Sequence, residues 1–387
     1  MVVAGGKAAW QLADETIMDK LNINCVHLGE GEVTIPRVFR AILAGEEVPR
    51  IINGISPRLE EIPNIIGATI HGLVEIGRGC GRGCSFCTPN KINSICEPID
   101  HIEKDVNTIA RAGQSSILLH AEDVLRYGAK GMMPDEDRVL ELFTRVASIE
   151  GVEYIGTSHI ALASAYHSPR LISALAEECT SQLGQDWIGA QTGLETGSER
   201  LLARHMKNKA LPSSVEAWRE IAIQAFGILD DNDWICAATM ISGLPGETTE
   251  DVIKSIELVE ELKSVATKSL IIPMNFVSMR GSSLDREETF TVKKMRREHW
   301  QLLGECLDHD LKMLPQLLRL FYKNDGGSIR GQLLRISVRR ITNQLKKYVT
   351  AMRRLTNRTT GGKRLACATD PRFEWRLART YHATFRL

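Results

Sequence analysis

The chain has 387 residues, 43% hydrophobic, 25% charged and only 5% aromatic, a composition that supports one large or two ordinary domains and excludes disorder as the main state. No apolar run approaches the roughly 18–20 residues a bilayer crossing needs. The opening MVVAGGKAAW also lacks the charged-then-apolar layout of a signal peptide, so a soluble, cytoplasmic protein with no membrane partner is expected. Basic and acidic residues balance at 48 each, but residues 311–387 carry 18 basic against 3 acidic, leaving 30 against 45 in residues 1–310.

In chain order, an apolar run Val2–Ala4 ends at Gly5-Gly6. A helical stretch and a second run, Cys25–Leu28, lead to Gly29-Glu30-Gly31-Glu32. This reads as the last units of an α/β domain, although two strands cannot form a sheet covered on both faces. Ile51–Pro63, with Pro49, Pro57 and Pro63 in and before it, reads as a linker. From about residue 67 to 300, β-branched or apolar runs alternate with amphipathic stretches. The predicted strands are Leu73–Ile76, Ile117–Leu119, Tyr154–Thr157, Trp187–Thr192, Trp234–Ile241 and Leu270–Phe276. Helices are predicted at Ile99–Ala112, Asp135–Ile149, Ser168–Glu177, Ser213–Phe226 and Thr249–Leu262, with another after Val292. Six βα units in series either close partway into a barrel or lie as an open doubly wound sheet. Residues 293–355 are helical in pattern, with Arg335, Arg339, Arg340, Lys346, Lys347, Arg353 and Arg354, before a break at Thr359–Gly362.

Nine cysteines, an odd number over a long chain, argue against a secreted disulfide framework. Three of them, Cys80, Cys84 and Cys87, fall in Gly77-Arg78-Gly79-Cys80-Gly81-Arg82-Gly83-Cys84-Ser85-Phe86-Cys87-Thr88-Pro89, directly after the first predicted strand of the βα series. Glycines let such a loop wrap a small object. Structural zinc would need a fourth ligand in a second close pair, and Cys96, the nearest spare cysteine, has no partner at two-residue spacing. A [4Fe–4S] cube on three cysteines would leave one iron open to a small ligand. Cys25, Cys179, Cys236, Cys306 and Cys367 read as core residues, whereas Cys96 lies close enough to the loop for a redox or substrate-side role.

The C-x3-C-x2-C spacing with Phe86 before its last cysteine resembles the signature of the radical S-adenosylmethionine (radical SAM) superfamily. Gly243-Leu244-Pro245-Gly246-Glu247-Thr248 and Gly193-Leu194-Glu195-Thr196-Gly197-Ser198 are similar to segments after the fifth and fourth barrel strands of that superfamily. The resemblance covers about residues 67 to 284. It implies a partial (βα)6 TIM-like barrel over residues 67–292, a [4Fe–4S] cluster on Cys80, Cys84 and Cys87, and S-adenosylmethionine on the open iron. A reducing electron donor then starts cleavage to a radical that abstracts hydrogen. Glu122, in His120-Ala121-Glu122-Asp123, stands where relatives carry Gly-Gly-Glu. By the same resemblance Glu195, Lys207, Gly243 and Pro245 contact the ligand. His120 and His159 sit at strand ends, where a satisfied structural histidine competes with an active-site role.

Residues 1–62 resemble the end of the cobalamin-binding domain of cobalamin-dependent radical SAM proteins, without its first strands and without an Asp-x-His-x-x-Gly motif. On that resemblance cobalamin is a further expected cofactor, and methyl transfer to an unreactive carbon, with a peptide or protein as one acceptor, is the expected outcome. The alternatives are a cobalamin-independent modification such as sulfur insertion or rearrangement, with RNA reached through the basic region 293–387, and a non-catalytic metal-binding module. Few aromatics interleave the basic residues of that region, so a solvated or self-docking surface is favoured over nucleic acid.

Overall fold

The computed structural model describes residues 1–88 and 94–321 and, within 337–350, all but residues 338 and 348. The N-terminal unit is a parallel sheet of β1 (Val3–Ala4), β2 (Cys25–Leu28) and β3 (Ile51–Asn53), ordered β1-β2-β3. Two helices accompany it, α1 (Glu15–Lys20) and α2 (Thr34–Leu43). Asp14 caps α1 by accepting the Ile17 N–H at 3.1 Å. Ala9, Met18, Ile23 and Val26 form a separate small core.

Here the linker expectation needs correction. Ile51–Asn53 is a third strand, paired with β2 and extended at both ends by Val26 N–H to Arg50 O at 2.7 Å and Gly54 N–H to Leu28 O at 2.6 Å. A three-residue edge strand carries too little periodicity to stand out beside a proline-rich stretch.

The central unit begins with β4 (Leu73–Glu75), followed by the short antiparallel pair β5 (Gly77–Arg78) and β6 (Ile95–Cys96). Then come α3 (Ile99–Arg111), β7 (Ser116–His120), α4 (Glu136–Ala147), β8 (Tyr154–Thr157), α5 (Leu162–His167), α6 (Pro169–Leu183) and β9 (Ile188–Glu195). After these lie α7 (Glu199–His205), α8 (Trp218–Asp231), β10 (Trp234–Ser242), α9 (Thr249–Leu262), β11 (Leu270–Asn275) and α10 (Arg297–Phe321). Every predicted strand is present within a few residues. Two parallel sheets, β4-β7-β8 and β9-β10-β11, are joined by a bridge between His159 and Gln191, with Ile160 N–H to Gln191 O at 2.9 Å. Six strands thus follow one another in chain order, all pointing the same way.

Burial alternates along these strands. On β7, Ile117 and Leu119 are buried while Leu118 and His120 are half-buried; on β10, Ala237, Thr239 and Ile241 are the half-buried set. On β9 Gln191 is exposed. The buried set belongs to one continuous core that includes Val106, Leu142, Leu175, Phe226 and Val259 of the surrounding helices. Parallel sheets ordinarily have both faces covered. Among the described residues the second face is left incompletely filled, and its C-terminal edge carries the cysteine loop.

Arg78, whose side chain is 12% exposed, ties the two units together. It donates to Glu75 within β4 and to Glu30 and Glu32 of the N-terminal unit, at 2.7, 2.8 and 2.5 Å. Beside it Glu97 is 2% exposed and neither of its carboxylate oxygens has a hydrogen-bond partner. Burial, with the charges of Glu75, Asp105 and Glu32 outweighing Arg78, pushes its carboxyl up to about 7.

At the other end α10 packs Met313 and Leu317 against Ile235 of β10, with Leu270 and Trp187 alongside. Residues 339–347 are helical, with Arg339, Arg340, Lys346 and Lys347 exposed and Thr342 buried. Arg335, Arg353, Arg354, Cys367 and the predicted break at Thr359–Gly362 lie outside the described residues. No described helix is long and apolar enough to cross a membrane.

Two outcomes follow from the Arg78 cluster. Arg78→Ala leaves partly buried carboxylates uncompensated and is expected to cost about 2–3 kcal/mol in urea unfolding. For Glu97, a folded pKa above the ordinary carboxyl value means that its contribution is full below pH 4.5 and is lost as pH rises through about 7. Glu97→Gln should therefore raise the thermal midpoint at pH 8 and leave it nearly unchanged at pH 4.

Candidate active site

The cysteine loop runs between β5 and β6, so the antiparallel pairing of Gly77 with Cys96 fastens both of its ends. Gly79, Gly81 and Gly83 have φ of 80°, 67° and 71°, a region that residues with a Cβ adopt at a cost. Cys84 is buried and Cys80 and Cys87 are half-buried.

Side chains inside the loop tie it to the neighbouring strand ends. Arg82, 5% exposed, donates to Asp123 Oδ2 and Ser164 Oγ, each at 3.1 Å, and to the carbonyls of Asn208, Lys209 and Leu211 at 3.0–3.4 Å. Asp123, just past β7, also accepts from Ser164 Oγ and the Ala161 N–H. Arg126 donates to Cys80 O at 2.7 Å. Ser85 N–H donates to His205 O at 2.8 Å. His205 Nε2–H donates to Pro245 O at 2.8 Å, which leaves Nδ1 to accept from Ser85 Oγ at 2.9 Å. Burial pushes the His205 imidazole below its ordinary range, in keeping with that neutral form.

Glu195 ends β9 at a register shift, where Thr239 pairs with Gly193 and Met240 with Glu195. Its φ is +65°. Such a bulge re-aims one side chain, here a carboxylate 9% exposed that takes the Thr239 hydroxyl at 3.2 Å and lies 3.6 Å from Lys209 Nζ. Burial raises the Glu195 carboxyl, with Lys209 opposing. Lys207, the basic residue expected here, is exposed, and the lysine beside Glu195 is Lys209, two positions later. Glu122 is half-buried and its Oε2 is buried without a hydrogen-bond partner.

Gly243 has φ of 82°, and a Cβ there would fall 1.9 Å from Phe290 Cγ, so only glycine fits. Its N–H donates to both oxygens of Glu247 at 3.1 Å. His299 of α10, 1% exposed, accepts the Arg296 N–H on Nδ1 and donates from Nε2 to Glu247 at 2.6 Å. Thr248 then caps α9 in a capping box with Asp251. The motif reading selected Gly243 and Pro245; Arg82, Asp123, Lys209, His205 and His299 escaped it, because each acts through a partner 40 or more positions away except for Lys209, which lies 14 from Glu195.

Donor chemistry can be weighed on this arrangement. No group of three His, Cys, Asp or Glu side chains among the described residues is gathered to hold a single metal ion. A single zinc needs its ligands to converge on one point, whereas a cubane takes each thiolate at a separate corner. Three thiols on one glycine-rich loop, with Arg82, Arg126 and Lys209 around it to balance negative charge, fit the second case.

Lys209→Met should leave Glu195 buried and unpaired, at a cost of about 2–3 kcal/mol in denaturant unfolding. Adding Glu195→Gln should recover at least half of that loss, and strict additivity of the two changes would show that the pair does not interact.

No family model matches the chain. Among curated proteins it is 25% identical over 306 residues to the tRNA-2-methylthio-N(6)-dimethylallyladenosine synthase of Chromohalobacter salexigens, covering 74% of this chain and 64% of that one. It is 27% identical over 270 residues to RimO of Moorella thermoacetica, a ribosomal protein uS12 methylthiotransferase, covering 65% and 55%. The chain thus spans between about half and two thirds of the length of these relatives. Of solved structures, the radical S-adenosylmethionine methyltransferase TsrM of Kitasatospora setae superposes on 70% of this chain and 55% of its own, with a TM-score of 0.49 and 13% identity. The likeness to methylthiotransferases covers 74% and 65% of this chain in these two relatives, in agreement with the resemblance to the radical S-adenosylmethionine superfamily.

Proposed function

We propose that this protein is a radical SAM enzyme that transfers a sulfur-containing group, in the manner named for its methylthiotransferase relatives. The observation that carries the reading is the triad on a loop fastened at both ends, in a chain whose curated relatives are methylthiotransferases. These relatives favour the sulfur-insertion alternative over cobalamin-dependent methyl transfer, which rested on the N-terminal likeness alone. The six strands, read as a partial (βα)6 barrel over residues 67–292, put five loops on one rim. Residues 1–62 and 293–387 form the flanking units in this reading.

Cys80, Cys84 and Cys87 would hold the [4Fe–4S] cluster. When bound, the cluster and S-adenosylmethionine supply a carbon radical that removes hydrogen from substrate. The chain's own residues position and exclude. Glu195, restrained by Lys209 and Thr239, and Glu122, with a bare buried oxygen, would suit a ligand that carries ammonium and sulfonium charge. Lys209 would suit the ligand's carboxylate, whereas the space a Cβ at Gly243 would take is filled by Phe290. The relatives act, by their names, on a tRNA or on a ribosomal protein. Of these, the basic surface of the 339–347 helix suits RNA phosphates.

Anaerobic reconstitution tests the reading. About four irons per chain, 5′-deoxyadenosine under reduction, and transfer of label from [methyl-14C]S-adenosylmethionine into an RNA or protein fraction are expected. Combined Cys80→Ala, Cys84→Ala and Cys87→Ala replacement should abolish the visible absorption and the electron paramagnetic resonance signal. Retention of a corrinoid at saturating supply would instead favour the methyl-transfer reading, and zinc without cleavage product a non-catalytic module.

A further inference from the structure

At the end of β7 and just past β8 the chain places two imidazoles on the incompletely filled face. The rings of His120 and His159 lie 6.2 Å apart at 67°. His159 is exposed to solvent, yet enough protein surrounds it that burial, with the His120 ring, pushes it below the ordinary histidine range. His159 thus borders solvent-open space at the strand edge, with the His120 ring beside it.

Ser158 decides what His120 offers to that space. Its Oγ lies 3.1 Å from Ala121 O, 3.3 Å from Ala121 N and 2.9 Å from His120 Nδ1. A hydroxyl has one hydrogen and a carbonyl can only accept, so that hydrogen goes to Ala121 O. The Ala121 N–H can only donate. Ser158 Oγ is therefore left as the acceptor for His120 Nδ1–H. A neutral imidazole has one N–H, so Nε2 keeps a bare lone pair. No described residue bonds to Nε2, and the atom is not sealed off from solvent. Of the charged groups nearby, Glu75, the ladder partner of His120, is occupied by Arg78, and Glu122 lies two residues on.

We propose that Ser158 is a positioning residue that locks His120 in the Nδ1–H tautomer, so that Nε2 accepts a hydrogen bond from an N–H donor on a bound reactant. The donor is either the ammonium of S-adenosylmethionine or an amino or amide N–H of the substrate. This rests on reading the edge as a radical SAM active site, but the tautomer itself does not.

The test begins with the full chain labelled with 15N-histidine, the His120 resonances being assigned with His120→Gln. Long-range 1H–15N spectra at neutral pH should show His120 protonated at Nδ1. Ser158→Ala should move it toward the Nε2–H form that imidazoles favour in water, and Ser158→Thr should restore it. His120 found as the Nε2–H form in the wild type, or unmoved by Ser158→Ala, overturns the proposal. On reconstituted enzyme, Ser158→Ala is expected to act by about tenfold, the worth of one hydrogen bond. A rise in KM for S-adenosylmethionine in substrate-free cleavage identifies the ligand ammonium as donor. A fall in label transfer at unaltered KM identifies the substrate, and no change in either overturns the proposal. Absence of cleavage by the wild type would sink the radical SAM reading while the tautomer result still stood.

Discussion

One buried guanidinium sets the geometry on which the rest of the site depends. Arg82 sits in the middle of the cysteine loop, where a charge taken out of water is costly unless its donors find partners. It finds them in Asp123, Ser164 and three carbonyls, all but its Nε being satisfied. The glycines leave the loop conformationally free, and a free loop would carry its thiols anywhere. With Arg82 in place the thiols are referred to the end of β7, to α5 and to the segment after α7 at once. Because one of those carbonyls belongs to Lys209, the same clamp fixes the lysine that faces Glu195. Cluster loop and carboxylate are thus positioned by one charge.

A second chain of contacts couples the loop to the far side of the rim. Ser85, His205 and Pro245 O form a continuous line from the cysteine loop to the Gly243 turn. Glu247 and His299 carry it on into α10. Each member is buried or half-buried, so a displaced partner would leave a desolvated polar group behind. The segment beginning at residue 293 therefore has a structural duty at the rim, separate from whatever its basic face contacts.

Hydrophobic period revealed the strands and long helices of residues 67–300 because alternation and helical spacing are local signals. β8 and α9 coincide with their predicted bounds. What stayed hidden depends on long-range or sub-threshold effects. Helices α5 and α7 span only six and seven residues, too short for a period to emerge. The pairing of Lys209 with Glu195 follows from how the chain leaves α7, and the aim of Glu195 from a bulge against β10. Neither can be read from spacing. The triad, by contrast, was plain, since three thiols within eight residues and four nearby glycines form a purely local pattern.

The incompletely filled face gives these contacts their meaning. A parallel sheet that buried both faces would gain more apolar burial than this one does. The chain instead leaves Gln191, His120 and Thr239 half-buried or exposed beside the Glu195–Lys209 pair and a carboxylate oxygen without a partner. Such an arrangement forgoes stability that apolar packing of the same face would give. Glu122 Oε2 and Arg82 Nε, each without a hydrogen-bond partner, lie at the C-terminal strand edge near the cysteine loop, while the opposite end is closed by Tyr154 against Trp187 at 5.0 Å between rings. The polar groups of this face thus lie toward the cysteine loop, and the far end of the strands is closed by aromatic packing.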